Sequence, residues 1–429
     1  MLARIRGFAV KYLKVAAEPR TAAADPDRFV RDRLTVLAYA ALGSFAFCLY
    51  GFGSVLAFLR PELRLSYPVT TLHSVLWAVG GILAGLGFRR LCAAFGRRRV
   101  LWGSIAASFG GVMLLAVAHL LTLTLVAATL LGTAGTTTLI ATSAIIADRH
   151  GRHRDRALIE ANAGAVSMAV AAPLVFGLLG ATAIGWRAGL LVPLAGFAAI
   201  YVVFRHQPVP DDPGDPGDLG DLGDSGGTGP SLPAIFWLRA SLVATNVAIE
   251  FCMVYYGAEL LHAAGLHVAR AATAMTLFYL GELAGRVAGA RLAGARLAGA
   301  RQGAGKTVPA LTAAALTIST AGFAVFWLAG RSPLALAGLF VTGLGVANLY
   351  PLTLGLALSA APGDTGHAAA RVAVVTGAAI AGAPFALSLL ADRWGVSTAF
   401  VLEPALIALA AGLLAAATRT GKSACFRSR

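Results

Sequence analysis

The chain has 429 residues, of which 58% are hydrophobic and only 13% charged, with a mean hydropathy of +0.75. A soluble fold of this length could not cover so much apolar surface, so lipid has to be the solvent. The net charge of +15 would suggest nucleic acid in a soluble protein, but its placement here argues against that partner and reports membrane topology instead.

From the N-terminus, residues 2–16 place Leu2, Ile5, Ala9 and Leu13 on one helical face, with Arg4, Arg6, Lys11 and Lys14 available to the other. That is the pattern of a basic helix lying on the inner leaflet, and a frayed basic tail reads equally well. Lys11 and Lys14 interrupt any signal-peptide core. Twelve apolar runs follow, at about 34–59, 71–88, 99–119, 120–147, 158–180 and 187–205, then 233–261, 269–289, 307–329, 333–359, 371–391 and 396–418. Each is long enough to cross a bilayer. They lack the alternation of barrel strands, so the backbone amides must be satisfied within helices. The 50 glycines read as packing residues, Gly80-Gly81 and Gly110-Gly111 among them, that let helix backbones approach closely.

Between the sixth and seventh spans the composition changes. Pro208 to Pro233 holds Asp211, Asp212, Asp215, Asp218, Asp221 and Asp224 spaced by Gly and Pro, a flexible, self-repelling linker. It lacks the ligand spacing and closing Glu of a calcium loop. The chain thus divides into a basic N-terminal segment (1–33), a first six-helix bundle (34–205), an acidic linker (206–232), a second six-helix bundle (233–418) and a basic tail (419–429). Arg and Lys cluster in alternate connections, at Arg89, Arg90, Arg97, Arg98 and Arg99, then at Arg149, Arg152, Arg154 and Arg156, and again at Arg291, Arg296, Arg301 and Lys306. With the tail residues Arg419, Lys422, Arg427 and Arg429, they put both termini in the cytoplasm. Cys48, Cys92, Cys252 and Cys425 show no paired spacing, which argues against a disulfide framework or a metal site. The two halves echo each other: Ala172-Pro173 in span five recurs as Ala383-Pro384 in span eleven, and Gly132 in span four as Gly343 in span ten. Parallel repeats of six helices place a substrate site between halves.

On these features the chain resembles the major facilitator superfamily over essentially its whole length. The family's signature between spans two and three is Gly-x-Leu-Ala-Asp-Arg-x-Gly-Arg-Arg. Here Leu91, Gly96, Arg97 and Arg98 match it, while Ala93 replaces the aspartate and Ala94 the arginine. Span five carries Ala172-Pro173-x-x-Phe176-Gly177, similar to the Gly-Pro-x-x-Gly-Gly motif of family antiporters, followed by Gly185-Trp186-Arg187. Gly281-Glu282-Leu283-Ala284-Gly285-Arg286 and Ala391-Asp392-Arg393-Trp394-Gly395 are similar to segments of bacterial members. The arginine that drug–proton antiporters carry in span four is replaced, Ala128 standing at that position. The resemblance implies an all-α polytopic fold of 12 transmembrane helices in two bundles, with spans one, four, seven and ten lining a central pathway.

Charges in mid-membrane cost a few kcal/mol, so each is a functional candidate. Glu250 lies about midway along span seven, and Asn246, Glu250, Met253 and Gly257 form one helical stripe. Glu250 is therefore expected to bind a proton or a cationic group of the substrate, with a helix-packing acid as the plainer reading. For the substrate cavity the expected residues are Asn246, Tyr256, Thr133, Thr137, Asn348 and Tyr50. The threonines of span four can form a hydrogen-bonding wall or satisfy themselves on their own helix; Pro351 is expected to kink span ten. Gly96, Arg97, Arg98, Pro173, Gly177, Glu282 and Arg286 are read as gating or structural, Glu282 and Arg286 pairing one turn apart near the cytoplasmic end of span eight. Glu259 is assigned to the outer face, Glu403 to snorkelling or packing on peripheral span twelve, and His73 to a structural role.

No nucleotide loop is present; Gly303-Ala304-Gly305-Lys306-Thr307 lacks the required opening glycine and spacing. Transport must then draw on an ion gradient, most simply protons, with no bound cofactor or metal. The expectation is a multi-pass protein of the cytoplasmic membrane, a monomer, that exports a drug or metabolite in exchange for protons. An uptake symporter for a sugar or organic acid is the alternative. A membrane-embedded lipid-linked transferase would need a carboxylate pair or a nucleophile–base set at the membrane surface, and the dense acids here sit in the linker.

Overall fold

The computed structural model describes residues 29–209, 232–299, 304–330, 332–361 and 365–427. The basic segment 2–16 and the acidic stretch 210–231 lie outside these residues, as do the side chains of Arg296, Arg301 and Lys306. Among the described residues every regular element is helical. Spans one to five are Arg33–Glu62, Tyr67–Phe95, Arg97–Val117, Leu121–His150 and Arg154–Gly180; span six is Leu191–Phe204 after a short turn of 3₁₀ helix, Trp186–Leu190. Spans seven to nine are Ala234–Ala263, Val268–Gly299 and Ala304–Leu328. Span ten comes in two pieces, Pro333–Val346 and Leu349–Leu358; span eleven is Thr365–Trp394, and span twelve runs through Val396–Ala399 into Leu402–Arg427. Eleven of these spans are long and apolar enough to cross a membrane by length and composition. The remaining one, span eight, is 32 residues long and carries Arg270, Glu282 and Arg286.

Local chemistry explains where the helices start and stop. Asp32 caps span one, its Oδ1 accepting from the Thr35 amide at 2.9 Å and the Thr35 hydroxyl at 2.6 Å. Burial pushes the Asp32 carboxyl up, but the two Thr35 bonds and Arg149 outweigh it and hold the group below the ordinary carboxylate range. Gly96 turns span two into span three at φ 79°, a left-handed conformation that favours glycine, and Gly185 does the same before span six at φ 84°. Arg187 then donates to the free carbonyls of Leu115, Ala116 and Ala118 at the end of span three, and to Glu62 at 2.7 Å. Span ten breaks at Ala347-Asn348, because Pro351 has no amide for the Ala347 carbonyl and its ring crowds it.

Packing follows the internal repeat. Span four packs on spans two and three, span one on five and six; in the second half, span ten packs on eight and nine, span seven on eleven and twelve. The matched glycines sit at matched contacts. A Cβ on Gly132 would lie 2.1 Å from the Trp77 carbonyl oxygen of span two, and one on Gly343 2.0 Å from that of Phe278 in span eight. The halves meet by crossed pairs, span five on eight and span eleven on two, with span one against seven on the axis. Two six-helix bundles related by an internal two-fold result, and the expected fold class is borne out. An even number of spans puts both bundle termini and the linker at one end of the molecule, here termed the linker end; the opposite one is the far end.

Because lipid supplies no hydrophobic drive between helices, such backbone contacts should carry much of the stability. Gly343→Ala should drive spans eight and ten apart and abolish monodisperse protein in detergent. Gly412→Ala, which meets nothing within 4 Å, should leave yield and melting temperature unchanged within a degree or two.

Candidate functional site

Halfway along spans seven and eight, where the bundles face each other, three charged side chains gather. Arg286 Nη2 donates to Glu282 Oε1 at 2.8 Å, with the Glu282 side chain only 2% exposed and that of Arg286 35%. Glu250, 8% exposed, lies within electrostatic reach of both, and no hydrogen bond to its carboxyl occurs among the described residues. The expected Glu282–Arg286 pairing is present, but its expected position is corrected. Glu282 is 14 residues from the far end of its helix at Val268, level with Glu250, which is 13 residues from the far end of span seven at Ala263. Sequence spacing showed the pair and hid its depth.

Tyrosines border the cluster. The Tyr50 hydroxyl on span one reaches Arg286, and its phenol lies within the field of Glu250. Tyr279 braces it from span eight, donating to the Tyr50 carbonyl at 3.1 Å with the rings edge-on at 5.5 Å. Tyr350, just after the break in span ten, also feels Glu250, and is 39% exposed. Sequence reasoning passed over Tyr279; it saw Tyr350 with Asn348 and Pro351 interrupt the apolar run of span ten, and chose Asn348 as the ligand. Asn246, one turn before Glu250, is 1% exposed and donates through Nδ2 to Thr353 Oγ1 at 3.3 Å. Thr353 spends its own proton on the Leu349 carbonyl at 2.6 Å, so its oxygen must accept, which fixes the amide orientation. Asn246 Oδ1 is left buried without a partner among the described residues. An orphaned acceptor costs about 1–3 kcal/mol unless a ligand or water donates to it.

Other expected cavity residues stand elsewhere. Tyr256 is placed at the far end, its hydroxyl bonded to that of Thr71 and, at 3.4 Å, to the Tyr67 carbonyl, so it ties span seven to span two. Thr133 and Thr137 donate to the carbonyls of Thr129 and Thr133 at 2.9 and 2.8 Å, and Thr133 lies against Gly80 of span two. These hydroxyls satisfy their donors on their own helix, as the plainer of the two readings expects. Asn348 donates to the Gly285 carbonyl at 2.7 Å, bracing the break of span ten on span eight. His73, fully buried, bonds to the Thr70 carbonyl and Thr124 hydroxyl, both at 2.9 Å, as a structural histidine does. Glu403 does not snorkel. It is 0% exposed, within the field of Cys252, and both carboxyl oxygens lack partners among the described residues.

The far end is shut across the bundles. Arg60 of span one grips Glu259 of span seven with two bonds of 2.9 Å and lies over the Tyr67 ring at 4.3 Å, with Glu259 4% exposed. Glu259, expected at the outer face, stands at the far end and is buried in the seam there. Arg60, Tyr67, Thr71, Tyr256 and Glu259 border a hollow with room for about one water. Gly177 of span five lies so close to span eight that a Cβ would meet Thr273 Oγ1 at 2.1 Å, and Pro173 sits one turn before it. At the linker end, spans four and ten share no packed interface among the described residues. Gly96 turns the loop there. Arg97 pairs with Asp148 at 2.5 Å, an acid from the end of span four, and Arg98 is exposed.

Comparisons with known proteins agree with this geometry. The family model described as Major Facilitator Superfamily matches residues 38–317. A bacterial homolog of the human lysosomal transporter Spinster, solved in an inward-facing and unoccupied conformation, is 12% identical, with TM-score 0.69 over 90% of this chain and 96% of that one. The nucleoside transporter NupG is 13% identical, TM-score 0.68, over 91% and 99%. A peptide transporter, POT, solved as a point mutant in complex with alafosfalin, is 17% identical, TM-score 0.69, over 96% and 99%. At such identities these likenesses concern the fold. No curated protein matches the sequence. With a matching family model over well more than half its length and two repeated six-helix bundles, this chain belongs to the major facilitator superfamily, and is a transporter of small molecules rather than an enzyme.

Proposed function

We propose that the protein is a proton-coupled secondary transporter of the cytoplasmic membrane that exports a small organic solute by rocking its two bundles about the Glu250 cluster. The observation that carries this reading is Glu250 itself, an acid in mid-span with neither a hydrogen-bond partner among the described residues nor a full seal around it. A carboxyl held there has little reason to persist unless its protonation is used. The basic residues of the linker end, Arg89, Arg90, Arg97, Arg98 and Arg99 among them, support a cytoplasmic assignment for that end. On that assignment the site opens inward, past Tyr350, and Arg60–Glu259 is the outer lock. The Ala172-Pro173-x-x-Phe176-Gly177 segment, seated where span five meets span eight, favours exchange over symport.

Two measurements test this. In proteoliposomes, Glu250→Gln should remove proton-driven flux of a substrate by at least tenfold while leaving counterflow, which needs no net proton movement, within a few-fold of the parent. Undiminished proton-driven flux would end the coupling role of Glu250. For the lock, Arg60→Ala leaves Glu259 buried and unpaired, a loss of about 3 kcal/mol from the closed far end. In a background without native cysteines, a Thr70→Cys reporter should then react with an impermeant maleimide at least tenfold faster than with Arg60 intact. An unchanged rate would mean the pair does not hold the seam.

A further inference from the structure

Resting on the proposed coupling role of Glu250, the geometry points to a substrate class: an organic monocation with at least one N–H donor, which displaces the proton of Glu250 and is exchanged for it one to one. The argument begins with charge. Glu282 is bonded to the guanidinium of Arg286, and Glu250 lies within electrostatic reach of both, so the ionised cluster is one positive charge short of neutral. A low-dielectric interior strongly disfavours that net charge, and a single added cation removes it. A proton on Glu250 does so, and so does an ammonium beside it. A dication would leave the cluster positive by one, and an anion would leave it negative by two. No unengaged cation remains in the cluster to hold an anion, because Arg286 is bound to Glu282 at 2.8 Å.

The surrounding groups fit the same ligand. Next to Glu250 on the helix stripe, Asn246 offers Oδ1, a buried acceptor whose donor is missing among the described residues. Two phenol rings, Tyr50 of the first half and Tyr350 of the second, lie within the field of Glu250 and are not fully buried. Aromatic faces stabilise a cation by ~0.5–2 kcal/mol each when it is desolvated. The site therefore supplies an acceptor, nearby phenol rings and one uncompensated negative charge. As the ammonium approaches, protonated Glu250 releases its proton to water and the carboxylate takes the cation in its place. Competition for one carboxylate couples the two fluxes without any further device, and the exchange moves no net charge.

Proton release upon binding is the direct readout. Purified protein in weakly buffered detergent would be titrated with benzylammonium, with benzyl alcohol as the neutral analogue, benzoate as the anion and p-xylylenediammonium as the dication. Benzylammonium should bind saturably, more tightly by close to tenfold per pH unit through the range in which Glu250 is protonated, releasing about one proton per cation bound there. The analogues should bind at least tenfold more weakly. Glu250→Gln should lose proton release, and Tyr350→Ala, with Glu250 intact, should weaken the cation several-fold while still releasing one proton; gel filtration reports the fold of both. Charge-blind or pH-independent binding, or no binding by benzylammonium, overturns the monocation assignment. If Glu250→Gln still abolishes proton-driven flux in that case, the coupling role survives and only the substrate class is lost. Voltage-driven flux at zero pH gradient would likewise refute one-to-one exchange.

Discussion

Hydrocarbon gives helices no hydrophobic reason to associate, so this fold depends on backbones that touch. The contacts at Gly132 and Gly343, where a methyl group would meet a carbonyl oxygen near 2 Å, are the condition on which each bundle closes. Gly53 against Val254 and Gly177 against Thr273 impose the same condition between bundles. Dispersion and weak polar contacts add up only where surfaces come this close. The placement of Glu250, Glu282 and Arg286 follows from it: spans seven and eight present their charges to the axis because their small residues are used on neighbours.

The same logic sorts the polar groups. Those that complete a local bond, such as Thr133 and Thr137 on their own carbonyls, can be buried anywhere. Asn348 and Arg187 cover carbonyls left open by a helix break and a helix end. What remains after this sorting includes Glu250, the orphaned oxygen of Asn246 and the sealed carboxyl of Glu403, alongside hydroxyls such as those of Ser108, Tyr255, Thr276 and Ser319. The first two share a stripe and face the axis, whereas Glu403 faces Cys252 behind it.

Much of this was legible in the sequence. Twelve apolar runs gave twelve helices, because a run of twenty apolar residues has no other stable form in lipid. The i, i+4 spacing of Asn246 and Glu250 put both on one face, since helix geometry is local. Depth and partnership were harder to read. Glu282 and Arg286, one turn apart, look the same in a chain whether the pair lies at a surface or in the centre. Tyr256 was misplaced because its partner, Thr71, is 185 residues away. Arg60 and Glu259 did leave a trace, as opposite charges near the end of the first helix in each half. The missing aspartate at Ala93 was visible, but the pairing of Arg97 with Asp148 was not, as nothing in the loop announces an acid from another helix.

That pairing has a mechanical corollary. Arg97 and Asp148 both belong to the first bundle, joining spans three and four, so their bond travels with that bundle as a rivet and need not open when the halves tilt. A charged bond that does cross between halves, seen among the described residues, is Arg60–Glu259 at the opposite pole. Turning the carrier over therefore has to part that clasp, while the Arg97–Asp148 rivet tilts in one piece with its bundle.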